Sequence, residues 1–83
     1  MKLRVRYFAS IREALGSEET IQVEPGTRLG GLRDMLIASD AAHAQALARG
    51  RALRVALNQS LADESASLAD GDEVAFFPPV TGG

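Results

Sequence analysis

The first segment of the chain alternates between apolar and polar side chains. Leu3, Val5 and Tyr7 share one face of an extended backbone over residues 2–8. The opposite face carries the residues between and beside them: Lys2, Arg4, Arg6 and Phe8. A period of two residues is typical of a strand with one buried face, so this segment predicts the first strand of a sheet.

Further segments predict strands, most of them by the same alternation of apolar and polar residues. Residues 20–24 predict a second strand, which a Pro-Gly turn at 25–26 ends. Residues 53–57 predict a third strand, and residues 73–77 predict the last one. The polar stretch between Leu61 and Leu68 predicts a short edge strand. Four or five strands therefore belong to one small sheet.

A short helix is predicted between the first two strands. Ser10 and Glu13 have the spacing of a capping box, in which the serine side chain accepts from the backbone amide at Glu13. Gly16 follows at the position where a left-handed glycine commonly ends a helix.

The main helix is predicted after the Pro-Gly turn, with Thr27 as its N-cap. One apolar stripe supports it, with members at helical spacing: Leu29, Leu32, Met35 and Leu36. Gly30 and Gly31 weaken its first turn by roughly 1 kcal/mol each relative to alanine, so we expect a close packing contact with the sheet to explain them. Residues 40–48 predict a separate short helix that begins at Asp40 and is ended by Gly50.

This order of elements predicts an α+β fold of the ubiquitin-like β-grasp type. A mixed sheet of about four or five strands carries one main helix packed on it, together with short helices. We expect the first and last strands to lie side by side in the centre of the sheet. Residues 1–77 form the predicted β-grasp domain, and residues 78–83 form an extended C-terminal tail that ends in Gly-Gly.

Composition narrows the possible functions. The chain has 83 residues, a net charge of −2, 46% hydrophobic residues and no cysteine. One soluble domain of this charge does not suit a nucleic-acid binder, and no apolar run approaches the roughly 20 residues of a membrane span. We therefore expect no nucleic-acid or membrane partner and a cytoplasmic location. Without cysteine there is no thiol chemistry, and His43 is expected to be an exposed residue among alanines.

The tail FFPPVTGG, residues 76–83, has a specific shape. Pro78-Pro79 cannot donate hydrogen bonds to a sheet, so the prolines end the last strand and direct the chain away from it. Val80-Thr81 are β-branched and favour an extended backbone, and Gly82-Gly83 lack a Cβ. This tip fits a narrow slot in another protein and leaves the Gly83 carboxylate as the reactive group. ATP can activate a carboxylate as an acyl-adenylate, from which sulfur gives a thiocarboxylate and an amine gives an amide.

Both ends of the chain resemble one family, the small subunits of molybdopterin synthase. The similarity lies in residues 57–83, LNQSLADESASLADGDEVAFFPPVTGG, and in residues 3–16, LRVRYFASIREALG. The resemblance implies a sulfur carrier: a ubiquitin-activating-enzyme-like adenylyltransferase uses ATP to adenylate Gly83, and a sulfurtransferase converts it to a thiocarboxylate. The large subunit then receives the tail and gives the sulfur to cyclic pyranopterin monophosphate.

The resemblance also implies what this chain leaves to its partners. Two small subunits are expected on a large-subunit dimer. The small subunit is a sulfur donor and no enzyme by itself. It binds no cofactor or metal apart from the covalent thiocarboxylate, and any zinc or catalytic lysine belongs to a partner.

Strand alternation predicts a partner-binding patch beside the tail. Phe8 lies on the solvent side of the first strand, and Phe77 lies on the same side of the last strand. If these strands are neighbours, the two aromatic residues meet near the root of the tail, and Leu61 can join them. We expect the large subunit to contact these residues and the tail: Phe8, Leu61, Phe77, Pro78, Pro79, Val80 and Thr81.

Three alternatives stay open at this point. A sulfur carrier for thiamine thiazole synthesis shares the fold and the Gly-Gly end, although its tail does not normally carry this neck of aromatics and prolines. A ubiquitin-like protein modifier would end as an amide on a lysine of its target. A plain interaction domain would leave its tail chemically unused.

Overall fold

The computed structural model describes residues 1–79. Its elements are β1 (Lys2–Tyr7), α1 (Ala9–Leu15), β2 (Glu18–Gln22), α2 (Leu29–Ser39), α3 (Ala41–Ala46), β3 (Arg54–Leu57), β4 (Ser60–Ala62) and β5 (Glu73–Phe77). No helix within residues 1–79 has the length and apolar character needed to cross a membrane.

The strands form one mixed sheet in the order β2-β1-β5-β3-β4. β1 and β5 are parallel neighbours, whereas the other strand pairs are antiparallel. The predicted central pairing of the first and last strands is therefore confirmed. A short edge strand is present as predicted, but β4 spans Ser60–Ala62 and does not lie in the polar stretch between Leu61 and Leu68. It follows β3 through a two-residue turn at Asn58 and Gln59. Both turn residues have positive φ, 50° and 71°, as the favoured hairpin geometry requires.

One face of the sheet packs against α2 and forms the core. Leu3, Val5 and Val74 are fully buried there, and the Tyr7 and Phe76 rings stack with centroids 6.2 Å apart. From the helix, the core receives Leu29, Leu32 and Leu36. Each such apolar side chain stabilises the fold by about 1.5–3 kcal/mol when it is buried. The opposite face, which we call the outer face, carries the alternate residues of each strand.

The predicted capping box at Ser10 and Glu13 is wrong. α1 begins at Ala9, its N-cap is Phe8, and no side chain caps it. The helix begins earlier than predicted because of how β1 ends. The Phe8 N–H donates to the Phe76 carbonyl, and Ala9 then turns the backbone sharply with φ 53°. The helix has thus already begun at Ser10. Gly16 ends it at the predicted position and donates its N–H to the Arg12 carbonyl, but with φ 92° and ψ 177° it does not adopt the predicted left-handed helical conformation.

Thr27 is not the N-cap of α2, which is another correction. Arg28 occupies that position, and the Thr27 hydroxyl instead donates to the Glu24 carbonyl at 2.7 Å. Thr27 therefore stabilises the turn after β2. The expected close contact of the helix glycines exists, but Gly30 makes it with Glu64 in the loop after β4 and not with the sheet.

The remaining boundaries differ from the prediction by one or two residues. β2 begins at Glu18, before residue 20, because it pairs with β1 as far as Arg6. Asp40 is the N-cap of α3 as predicted, and its side chain accepts from the His43 N–H at 2.8 Å. α3 ends at Ala46 rather than at residue 48, and its C-cap is Leu47, so the prediction that Gly50 ends this helix is wrong. β3 begins at Arg54 rather than at residue 53.

Candidate functional site: the outer face and the root of the tail

The last strand leads directly to the point where the C-terminal tail leaves the sheet. β5 lies in the centre of the sheet and ends at Phe77, whose partner across the sheet is Arg54 of β3. Pro78 and Pro79 follow outside the strand and are half-buried. The sheet ends at the prolines as predicted, because neither residue has an amide hydrogen for the ladder. The tail predictions for Val80, Thr81, Gly82 and Gly83 lie outside the described residues.

The structure brings the three predicted patch residues to the outer face. Phe8 is 36% exposed, Leu61 is 68% exposed and Phe77 is half-buried. Between them lie two small residues, since Leu61 faces Ala56 across the sheet and Ala56 faces Ala75. We call these five residues the outer patch; Phe8, Leu61 and Phe77 are its accessible members, whereas Ala56 and Ala75 are each only 8% exposed. Its role in binding a partner stays a prediction.

Charged side chains border the outer patch on the β1 side. The Arg6 guanidinium lies 5.1 Å from the centre of the Phe8 ring, which is a cation–π contact. Glu73 binds both neighbouring arginines, with Oε1 2.7 Å from Arg4 and Oε2 3.6 Å from Arg6. The hydrogen bond from Arg4, together with the charges of both arginines, lowers the pKa of Glu73, so the carboxylate stays ionised under ordinary conditions.

The expectation that His43 is an exposed residue among alanines is wrong. Its side chain is only 14% exposed, and its ring contacts the edge of Tyr7 with centroids 6.3 Å apart. Nε2 lies 2.6 Å from a Glu19 oxygen, and Nδ1 lies 2.8 Å from an Asp40 oxygen. The same Glu19 oxygen accepts from the Tyr7 hydroxyl at 2.7 Å. A hydrogen-bond network thus connects α3 to β1 and β2, and its members are Tyr7, Glu19, Asp40 and His43.

This hydrogen-bond network shifts the pKa values of His43 and Tyr7. Burial alone would lower the pKa of His43, but its hydrogen bonds to Glu19 and Asp40 outweigh burial and raise the pKa. Burial, the hydrogen bond to Glu19 and the nearby charges all raise the pKa of Tyr7, so the hydroxyl stays protonated and donates. The Asp40-His43 spacing of three residues is visible in the sequence, whereas the contact with Glu19 depends on the fold.

A second cluster that the sequence did not predict fixes the loop after β4. Arg33 is 6% exposed and donates to the Leu47 carbonyl at 2.8 Å and to a Glu64 oxygen at 2.9 Å. Arg49 binds the other Glu64 oxygen and also Asp34. The hydrogen bond from Arg49 lowers the pKa of Glu64 most, with a further contribution from Arg33. The loop that follows Leu61 is therefore held against α2.

Within residues 1–79, no group of three or more His, Asp or Glu side chains could hold a metal ion. The charged groups described above are instead paired with one another across the elements that they join.

Comparison with known proteins agrees with this architecture. The sequence profile of the ThiS family matches residues 5–83. The chain is 42% identical over 81 residues to the molybdopterin synthase sulfur carrier subunit of Escherichia coli (strain K12), and the alignment covers 98% of this chain and 99% of that one.

Solved structures give the same picture. SAMP1 from Haloferax volcanii is 30% identical with a TM-score of 0.79, and the match covers 100% of both chains. A chain in the complex of subunits 1 and 2 of the molybdopterin-converting factor of Helicobacter pylori is 31% identical with a TM-score of 0.71, again over 100% of both chains. Ubiquitin-like proteins share the fold as well, which confirms the predicted fold class. With its full-length relatives and a family match that extends to the last residue, the chain belongs to the ThiS family, and its resemblance to the small subunits of molybdopterin synthase is confirmed.

Proposed function

We propose that this chain is the sulfur carrier subunit of a molybdopterin synthase. The observation that carries the proposal is the 42% identity, along almost the whole of both chains, to the Escherichia coli subunit of that name. The family match also includes residues 80–83, the part of the chain that would carry the chemistry.

The proposed reactive group is the C-terminal carboxylate of Gly83. A carboxylate oxygen attacks the α-phosphate of ATP on a ubiquitin-activating-enzyme-like adenylyltransferase, and pyrophosphate leaves. A sulfur nucleophile at the oxidation level of sulfide, delivered by a sulfurtransferase, then attacks the acyl carbon; the C–O bond to AMP breaks, AMP leaves with one of the two oxygens, and a thiocarboxylate remains. In the large subunit, the thiocarboxylate sulfur moves to the pterin precursor, and hydrolysis restores the carboxylate of Gly83. In this proposal ATP is a substrate of the activating enzyme, and the chain itself holds no cofactor beyond the covalent sulfur.

The architecture supports this role through the position of the tail. β5 is hydrogen-bonded on both sides, to β1 and to β3, and it reaches Phe77 before the two prolines begin. A tail that starts from a central strand has a rigid base, whereas one that starts from a loop would not. Reacting atoms have to be held about 3–3.5 Å apart for efficient transfer, so a fixed base for the tail favours catalysis by the partner.

The outer patch supports a protein partner at the base of the tail. Leu61 is a large apolar side chain with 68% exposure, and Phe8 and Phe77 lie on the same face. We propose that the large subunit covers this patch while the tail enters its active site, in an assembly of two small and two large subunits. The Helicobacter pylori relative occurs in a complex with subunit 2 of its converting factor.

Intact-mass spectrometry tests the sulfur-carrier proposal. The purified chain is incubated with ATP, the activating enzyme and the sulfurtransferase of its source organism, and the mass is recorded before and after. We expect the exchange of one oxygen for one sulfur. A variant that lacks Gly82 and Gly83 is the control and should keep its mass. An unchanged mass of the full chain, with enzymes that are active on a known carrier, would contradict the proposal.

A protein modifier is the second candidate function. It is favoured by the full-length similarity to SAMP1, which is a small archaeal modifier protein of Haloferax volcanii. The same mass experiment distinguishes the two, because a modifier would produce covalent adducts on the lysines of other proteins. Trypsin digestion of such adducts would identify the modified lysine, whereas a sulfur carrier leaves only its own altered terminus.

A further inference from the structure

The outer face has the opposite sign of charge to the chain as a whole. The chain carries a net charge of −2. The outer face of the five strands, however, presents four cationic side chains and two carboxylates. The cationic residues are Lys2, Arg4, Arg6 and Arg54, and the carboxylates are Glu18 and Glu73. Positive charge is therefore concentrated on the face that carries the outer patch.

Two of these arginines border the outer patch from opposite sides. Arg6 of β1 faces Ala75 of β5, and its guanidinium lies over the Phe8 ring. Arg54 of β3 faces Phe77 of β5, so it borders the patch from the other neighbouring strand. Opposite residues in adjacent strands lie on the same face with their Cβ atoms about 4.5–5.5 Å apart. Ala75 and Phe77, the β5 members of the outer patch, thus lie between two arginines on the neighbouring strands.

Arg6 and Arg54 are less fully paired than Arg4, although the Arg4 side chain is 56% exposed. Arg4 holds Glu73 at 2.7 Å and Glu18 at 3.7 Å. Arg6 reaches Glu73 only at 3.6 Å, and its side chain is 37% exposed. Arg54 is exposed, and none of the ion pairs within residues 1–79 includes it. Both guanidiniums can therefore accept an additional carboxylate partner.

We propose that the partner surface that covers the outer patch carries an apolar centre bordered by carboxylates that pair with Arg6 and Arg54. The inference rests on the proposed function, since the partner is taken to be the large subunit. Charges at the rim of an interface mainly steer the encounter and fix the orientation, and the apolar centre supplies most of the affinity. The arginine pair would orient the sheet so that Pro78 and Pro79 lead the tail toward the partner.

The test compares variants of equal charge change placed on different faces. Arg6→Gln/Arg54→Gln removes two charges from the outer face, and Arg28→Glu removes the same net charge at the start of α2. Arg6→Lys/Arg54→Lys keeps the charge but loses the planar group that stacks on Phe8. Surface plasmon resonance against the immobilised large subunit of the source organism gives association rates at low and at physiological ionic strength.

We expect the glutamine double variant to associate about tenfold more slowly at low ionic strength and to lose most of the salt dependence. Arg28→Glu should associate at nearly the wild-type rate, and the lysine double variant should recover most of it. Circular dichroism melting of each variant verifies that the fold is intact.

Two results would overturn the inference in distinguishable ways. Equal association rates and equal salt dependence for the wild type and the glutamine variant would refute the inferred role of Arg6 and Arg54, but they would not contradict the proposed function. No binding of the wild type to the large subunit would remove the proposed function and the inference together.

Discussion

The two adjacent glycines of α2 should respond in opposite directions to the same substitution. A Cβ added at Gly30 would lie 3.0 Å from the Glu64 Cβ, 3.0 Å from Oε1 and 3.3 Å from the Glu64 carbonyl oxygen. A Cβ added at Gly31 would meet only the Thr27 methyl group, at 3.4 Å, which is close to ordinary van der Waals contact. Gly30 is buried and Gly31 is exposed. Gly31→Ala is thus a matched control for Gly30→Ala.

Glu64 cannot move away easily, and this sets the magnitude. Its two carboxylate oxygens are bound by Arg33 and Arg49, and its carbonyl accepts from the Gly30 N–H at 2.9 Å. Forcing an extra group into a tightly packed site typically costs about 1–3 kcal/mol. Replacing a glycine within a helix by alanine stabilises the folded state by about 0.5–1 kcal/mol when the site has room for the Cβ. We therefore expect Gly30→Ala to lower the free energy of unfolding by about 1 kcal/mol and at most by about 2.5 kcal/mol, and Gly31→Ala to raise it by about 0.5–1 kcal/mol.

Urea unfolding followed by far-ultraviolet circular dichroism measures both variants. A difference of about 2 kcal/mol between them corresponds to melting temperatures separated by about 8–16 °C in a domain of this size. If Gly30→Ala is as stable as Gly31→Ala, the contact with Glu64 does not constrain α2 and the explanation for the first glycine is wrong.

Three further predictions concern the outer patch, the tail and the hydrogen-bond network around His43. Phe77→Ser should weaken binding to the large subunit while the melting temperature falls only slightly, because the side chain is half-buried on the outer face; a large loss of stability with unchanged affinity in a titration would mean that Phe77 belongs to the core. Gly82→Val should leave the melting temperature unchanged but slow adenylation or sulfur transfer, since a displacement of ~1 Å of the reacting atoms can cost ~100-fold in rate, and wild-type single-turnover rates in both steps would show that the narrow tip is not required. The pKa of His43 is raised in the folded protein, so its contribution to stability is complete below the ordinary value of about 6.5 and is lost as the pH rises through the folded-state pKa. His43→Gln should remove this decline in urea unfolding across that pH range, and an identical pH dependence in the variant would contradict the assignment.

Strand positions were predictable because the signal is local. Leu3, Val5 and Tyr7 alternate with polar residues, and these three side chains are all buried. The same alternation placed Phe8 and Phe77 on the outer face, so the patch could be proposed before the fold was known. The prolines at 78 and 79 fixed the end of β5 for an equally local reason, the missing amide hydrogen.

The starts of α1 and α2 were less predictable than that of α3, where Asp40 is the predicted N-cap. Ser10 and Thr27 both stand where a capping residue is common, yet neither caps a helix. The Phe8 N–H is bound by Phe76, which is remote in sequence, and this fixes where α1 begins. Local spacing carries no information about such a contact.

The polar contacts were missed for the same reason. His43 is surrounded by alanines in the sequence, but its ring contacts Glu19 from a different part of the chain. Gly30 is explained by Glu64, which comes from the loop after β4. Both contacts join residues more than twenty positions apart, and only the folded chain brings them together.

The central claim is that the terminal carboxylate of Gly83 carries the transferred sulfur. The most direct measurement is dithiolene formation in a reaction that contains the large subunit, the pterin precursor, ATP, the activating enzyme and the sulfurtransferase. The wild-type chain is compared with a chain extended by one alanine after Gly83, and intact mass verifies that the extra residue is retained. We predict dithiolene formation with the wild type and none with the extended chain. Normal turnover by the untrimmed extended chain would contradict the claim.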